Sequence, residues 1–197
     1  PGGLLRAPAF LGAGGIALIM NLVTNGTLLV ATLRLQQAEH RPALAAGAML
    51  LPMAVPLAAL APVSGRLTAR FGTRVPLGAG AAIAAAGSLS LLRIGSGASY
   101  GALLPTLVGI GVGDGLIVTA VVAAAMRAVP AAHAGLAGGF NNTARQVGTA
   151  LGVAVFGAVA GSALRPAHFA SGLHTLAWVS LGLWLAALVL SRTVPAR

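Results

Sequence analysis

No cysteine and no lysine occur among the 197 residues, and the only acids are Glu39 and Asp114. The missing cysteines exclude disulfide frameworks, thiolate metal sites and cysteine nucleophiles. The scarcity of acids and bases excludes more. Charged residues make up 7% of the chain, where a soluble domain carries about a quarter. So few charges cannot clothe a globular surface in water, whereas 57% hydrophobic residues suit a surface that is mostly lipid. Aromatics are also few, at 4%. The formal net charge of +10 on its face suggests nucleic acid, but such a binder clusters its basic residues on one face, often interleaved with aromatics. Here the arginines stand singly between long apolar runs, as orientation signals and lipid contacts do in short membrane loops. The bilayer is the expected partner, and nucleic acid is not.

What is present is a series of six apolar stretches, at 10–33, 43–63, 75–92, 101–126, 137–160 and 173–190. Each is close to the roughly 20 residues that cross about 30 Å of hydrocarbon. Their Gly/Ala richness disfavours strands, so the expected fold class is all-α, a polytopic membrane protein built as a six-transmembrane-helix bundle. Gly111/Gly115, Gly148/Gly152 and Gly157/Gly161 are small-xxx-small pairs that let helix backbones approach closely in lipid. Pro52, Pro56 and Pro62 in the second stretch, and Pro105 in the fourth, predict bent helices. The chain opens on Pro1 and shows no secretory signal, so its start reads as the cut edge of a longer chain. If the breaks alternate sides, one side holds Arg6, Arg66, Arg70, Arg74, Arg127, Arg192 and Arg197. The other holds Arg34, Arg41, Arg93 and Arg165. That bias predicts a multi-pass protein of the bacterial inner or plasma membrane with both ends of the segment in the cytoplasm.

The break between the second and third stretches reads Gly65-Arg66-Leu67-Thr68-Ala69-Arg70-Phe71-Gly72-Thr73-Arg74. It resembles the short cytoplasmic loop of the major facilitator superfamily, of the form G-x-x-x-D-R-x-G-R-R. Gly65, Arg70, Gly72 and Arg74 match, while Ala69 stands where the family often has an aspartate. The fifth stretch carries Asn142-Thr143-Ala144-Arg145-Gln146-Val147-Gly148. This resembles the N-x-x-R-Q-x-G run in the penultimate helix of the EmrB/QacA type, the fourteen-span drug/proton antiporters. Phe10, the Leu51-Pro52 pair and the Gly-rich 109–115 stretch also fit. The resemblance runs over nearly the whole chain and implies half of a major facilitator fold, the last six helices of fourteen. It implies hydrophobic or cationic drug-like substrates exchanged for protons, and amino-terminal helices of the same transporter as a further partner.

The polar residues read alone agree with transport. Asn142, Arg145, Gln146 and Thr149 follow helical spacing on one face, and Asn21, Thr24, Asn25 and Thr32 make a comparable stripe on the first helix. Polar side chains at membrane depth normally face a bundle interior or a water-filled cavity. These residues are the candidate cavity lining, although hydrogen bonding between helices alone would explain the same stripes. Asp114 is the only acid within a span. An intramembrane carboxyl is a candidate proton carrier, since it exchanges a proton when its surroundings change from apolar to charged. Arg145, at a similar expected depth on the next helix, is its candidate partner for proton coupling; a structural salt bridge is the alternative.

His40, His133, His168 and His174 lack metal-ligand spacing, Trp178 and Trp184 read as lipid or interface anchors, and no nucleophile–base arrangement or phosphate loop is visible. No enzyme activity, metal or cofactor is expected. The reading is secondary active transport by alternating access. A permease for a metabolite, or a truncated fragment that transports nothing, are the alternatives.

Overall fold

The computed structural model describes residues 7–95 and 98–194. Arg6 and Arg197, which count toward the larger arginine set, lie outside the described residues. Among those described there are seven α-helices and no strand: α1 (Pro8–Leu33), α2 (Ala43–Met49), α3 (Leu51–Phe71), α4 (Arg74–Leu89), α5 (Leu104–Arg127), α6 (Ala134–Ala160) and α7 (Pro166–Leu190). Five spans are single helices long and apolar enough to cross a membrane, and a sixth is the broken pair of α2 and α3. The fold is therefore all-helical with five to six candidate spans, consistent with half of a major facilitator fold.

The second span differs from the sequence expectation in both its break and its end. It bends by 46° between Met49 and Leu51. Pro52 supplies no backbone N–H, which an interior turn needs and a first turn does not, so it begins a new helix instead of continuing the old one. Pro56 and Pro62 lie inside α3. The helix then runs on to Phe71 because nothing before Gly72 stops it; Gly72, at φ 81°, takes the left-handed turn that a side chain would disfavour. The residues read as a loop are thus mostly helical. Gly65 and Arg70 belong to α3, Arg74 opens α4, and only Gly72 and Thr73 connect them.

Two seams organise the bundle. α5 packs between α3 and α4, while α1 packs along α6 and also touches α5 and α7; α4 and α7 pack together. At the first seam, a methyl on Gly111 would strike the Met53 carbonyl and one on Gly115 would meet Leu60 and the Pro56 carbonyl. Ser64 donates to the Leu116 carbonyl (2.5 Å) and Thr119 to that of Ala61 (3.1 Å). At the second seam, methyls on Gly148 and Gly152 would strike the carbonyls of Leu18 and Leu22. In lipid there is little hydrophobic drive between helices, so such close backbone approach is what association rests on. Near the start of α1, Phe10 stacks on Phe140 of α6 with ring centroids 4.4 Å apart. Trp178 is exposed as a lipid anchor should be, but Trp184 is fully buried in the core, where its ring fills space among helices and not the interface.

Candidate functional site

α1 presents polar groups to two neighbours at once. Thr24 and Asn25 are adjacent, so their side chains are turned about 100° apart around the helix axis. The Thr24 hydroxyl donates to Oδ2 of Asp114 on α5. The Asn25 amide donates to Oγ1 of Thr149 on α6 (3.2 Å) and to the Asn21 carbonyl (2.9 Å). Thr149 in turn donates to the Arg145 carbonyl (3.1 Å), and Asn21 to that of Ala17 (3.0 Å). The result is a polar layer across α5, α1 and α6.

Asp114 is 1% exposed and lies ten residues into α5, about 15 Å along the axis. It is close to mid-span. Its neighbours Gly113 and Gly115 carry no side chains, which lets α4 and α3 pack close on either side of it. Thr24 is its one hydrogen-bond partner among the described residues; Oδ1 is buried without any. Burying a carboxyl with one oxygen unpaired is costly, so the position is not explained by packing.

The structure sorts the remaining candidates. Asn21, Thr24, Asn25, Thr149 and Arg145 are half-buried, and all but Arg145 use their side chains in the bonds above. Thr32 donates to the Leu28 carbonyl (2.8 Å) and stands apart from them. Arg145 and Asp114 form no ion pair; among the described residues the ion pairs are Arg34–Glu39 (3.3 Å) and Arg41–Glu39 (3.7 Å). The direct Asp114–Arg145 pair expected from their depths is therefore not made in this conformation. The reason is lateral: α5 and α6 touch little, and α1 packs against both. Depth along an axis can be computed from sequence, but the helix that stands beside a residue cannot.

Asn142 and Gln146 are exposed, and the asparagine that faces inward is Asn141, buried with its Nδ2 unpartnered. Sequence reasoning passed over Asn141. The signal was available: Ala137, Asn141, Gly148, Gly152 and Phe156 fall at helical spacing and are the buried stripe of α6. The small residues mark the packing face, and Asn141 lies seven before Gly148 on it.

A family model described as Major Facilitator Superfamily matches residues 2–153. The chain belongs to the major facilitator superfamily. That family consists of transporters and not enzymes. Within it the chain is similar to proteins named for drug resistance. It is 37% identical over 137 residues to the multidrug resistance protein Stp of Mycobacterium tuberculosis, covering 68% of this chain and 25% of the relative. It is 31% identical over 159 residues to the methylenomycin A resistance protein of Streptomyces coelicolor, covering 81% and 34%. It is 34% identical over 155 residues to the tetracenomycin C resistance and export protein of Streptomyces glaucescens, covering 77% and 28%. The chain thus spans a quarter to a third of the length of these relatives.

Proposed function

We propose that this chain is the carboxy-terminal six-helix half of a proton-coupled efflux transporter for hydrophobic or cationic drug-like compounds, of the EmrB/QacA type. The observation that carries the reading is Asp114, an acid at mid-span with one oxygen held by Thr24 and the other free. A carboxyl so placed can gain and lose a proton as helices around it separate, and in doing so changes the charge that α1 and α5 bury between them. Asp114 is the proton carrier, and Arg145 is the nearby charge that favours its ionised form once the two approach. Asn21, Asn25 and Thr149, with the exposed Asn142 and Gln146, line the path that substrate takes between this bundle and the amino-terminal helices. Rocking of one bundle against the other gives alternating access. The relatives support the substrate class, being named for resistance to drugs and, in one case, for export.

The test uses the full-length protein in everted vesicles. Asp114→Asn should abolish uptake of a lipophilic cation such as ethidium driven by a pH gradient. It should leave exchange of labelled against unlabelled ethidium in place, since exchange needs no net proton movement. Wild-type gradient-driven uptake by Asp114→Asn would remove the proton-carrier role, and loss of exchange as well would make the change a folding defect.

A further inference from the structure

At the end of the bundle opposite Gly72, α1 runs into a π turn, Arg34–Ala38, in which Arg34 and Leu35 are buried. Such turns are frequent at functional sites. His40, at φ 50°, folds the chain back, and the Arg41 N–H reaches the Leu35 carbonyl (2.9 Å). A left-handed backbone outside glycine carries strain that surrounding contacts must hold. Arg34 makes those contacts and faces neither lipid nor open water. It is 8% exposed; its Nε donates to Glu39 Oε1 (3.3 Å), and its Nη2 donates to the Ala98 carbonyl between α4 and α5. The two bonds leave Nη1 for a further acceptor.

The second observation is the cavity of about 400 Å³ that Arg34 lines. The Arg34 side chain keeps 10% of its surface open, Glu39 24% and Arg41 53%, so all three reach the space. Phe169, Ala170 and Leu173 of α7 give it an apolar floor, and Pro166 and Tyr100 stand at its sides. The Tyr100 hydroxyl donates to the Met49 carbonyl (2.5 Å), which fixes that side chain in place. A concave, mostly apolar space with a few fixed polar groups is the ordinary form of a small-molecule site. Its charge is set by Glu39, whose Oε1 meets Arg34 and whose Oε2 meets Arg41 (3.7 Å). Two guanidiniums against one carboxylate leave one net positive charge. The carbonyl end of α1 and the amide end of α7 add about half a charge of opposite sign each and cancel.

We propose that this cavity is a second ligand site, for a small amphipathic organic monoanion with a carboxylate on an aromatic or alicyclic body. The body lies on Phe169 and Ala170, and the carboxylate accepts from Arg34 Nη1 and from Arg41 at the mouth. A cation of the same shape meets the surplus positive charge and is disfavoured, which separates this site from one for cationic compounds. No residue of the polar layer around Asp114 lines the cavity, so occupancy here does not depend on the proton-carrier reading.

The experiment is isothermal titration calorimetry of the full-length protein in phosphatidylcholine nanodiscs, with empty nanodiscs as the blank. The probes are naphthalene-2-carboxylate, the neutral naphthalene-2-carboxamide and the cationic naphthalen-2-ylmethylammonium. The carboxylate should bind at one site, about tenfold or more tighter than the other two, the effect of charge-assisted bonds. Arg41→Gln brings the net charge to zero and should abolish that preference. Glu39→Gln raises the net charge and should tighten the carboxylate several-fold. If Glu39→Gln does not fold, Arg41→Gln, at a half-exposed side chain, decides alone. Arg165→Gln, on an exposed residue at the same end but outside the lining, should change nothing. Asp114→Asn should bind like the wild type, so the site and the proton-carrier role fail separately. Equal binding of the three probes, a preference that survives Arg41→Gln, or an equal loss in Arg165→Gln would overturn the site. Displacement of the carboxylate by added phosphatidylglycerol would overturn it as well, by assigning the cavity to lipid.

Discussion

Thr24 and Arg145 are both candidates to govern Asp114, and the geometry ranks them. Thr24 gives Asp114 its hydrogen bond, whereas Arg145 makes no ion pair with it. Losing one partner of a buried carboxyl costs about 1–3 kcal/mol. Thr24→Val should therefore lower the thermal stability of the full-length protein more than Arg145→Ala does, and Thr24→Ser should restore it. Differential scanning fluorimetry in detergent measures all three. A larger loss from Arg145→Ala would mean that the Asp114–Arg145 pair forms in the dominant state in solution. In the proposed transport cycle the order can invert, because there Arg145 meets Asp114 only when the helices move. Gradient-driven uptake by Arg145→Ala, weakened at nearly unchanged stability, is the outcome that the proton-coupling role requires.

Among the elements, α6 is the least buried of the five single-helix spans and α5 the most. The face that α6 does bury is narrow and made of small residues, so its hold on α1 depends on backbone proximity at Gly148 and Gly152. Gly148→Ala forces a methyl against the Leu18 carbonyl and should cost about 1–3 kcal/mol through overpacking. Gly139→Ala, with nothing near its added methyl, should be neutral or raise stability by about 0.5–1 kcal/mol through helix propensity. Melting temperatures of the two variants decide it; equal effects would mean that the α1–α6 seam is not held by close approach. The opposite, exposed face of α6, with Asn142 and Gln146 on it, is the surface left for substrate or for the amino-terminal helices in the proposed function.

At the scale of the molecule, the loops gather into two ends. Arg34, Arg41, Tyr100 and Phe169 surround one cavity of about 400 Å³ at one end. At the other, Arg70 and Arg127 share the second cavity and Arg74 Nε donates to the Val194 carbonyl (2.8 Å). The alternation of breaks that the arginine count assumed is thus how the helices run, and the proposed orientation puts the Gly72 end in the cytoplasm. Cysteine at Thr68 would be a poor reporter because that side chain is buried; Ala69 is exposed. In a cysteine-free full-length background, Ala69→Cys should react with a membrane-impermeant maleimide in inverted vesicles and not in intact cells. The reverse pattern would invert the topology.

Spans, helical class and family were legible in the sequence for a physical reason. A bilayer demands about twenty apolar residues per crossing and satisfies backbone polar groups only within helices, and those demands act locally along the chain. Asp114 stood out likewise, as the lone acid within a span. Its partner did not. Whether Thr24 or Arg145 meets that carboxyl depends on which helix stands beside α5, and whether Asn141 or Asn142 turns inward depends on how α6 is rotated against α1. The loop motif became a helix end because Gly72 alone breaks the run from Leu51. Those outcomes are set by close packing between segments distant in the chain, where a rotation of one residue exchanges a buried group for an exposed one, and only the tertiary structure decides them.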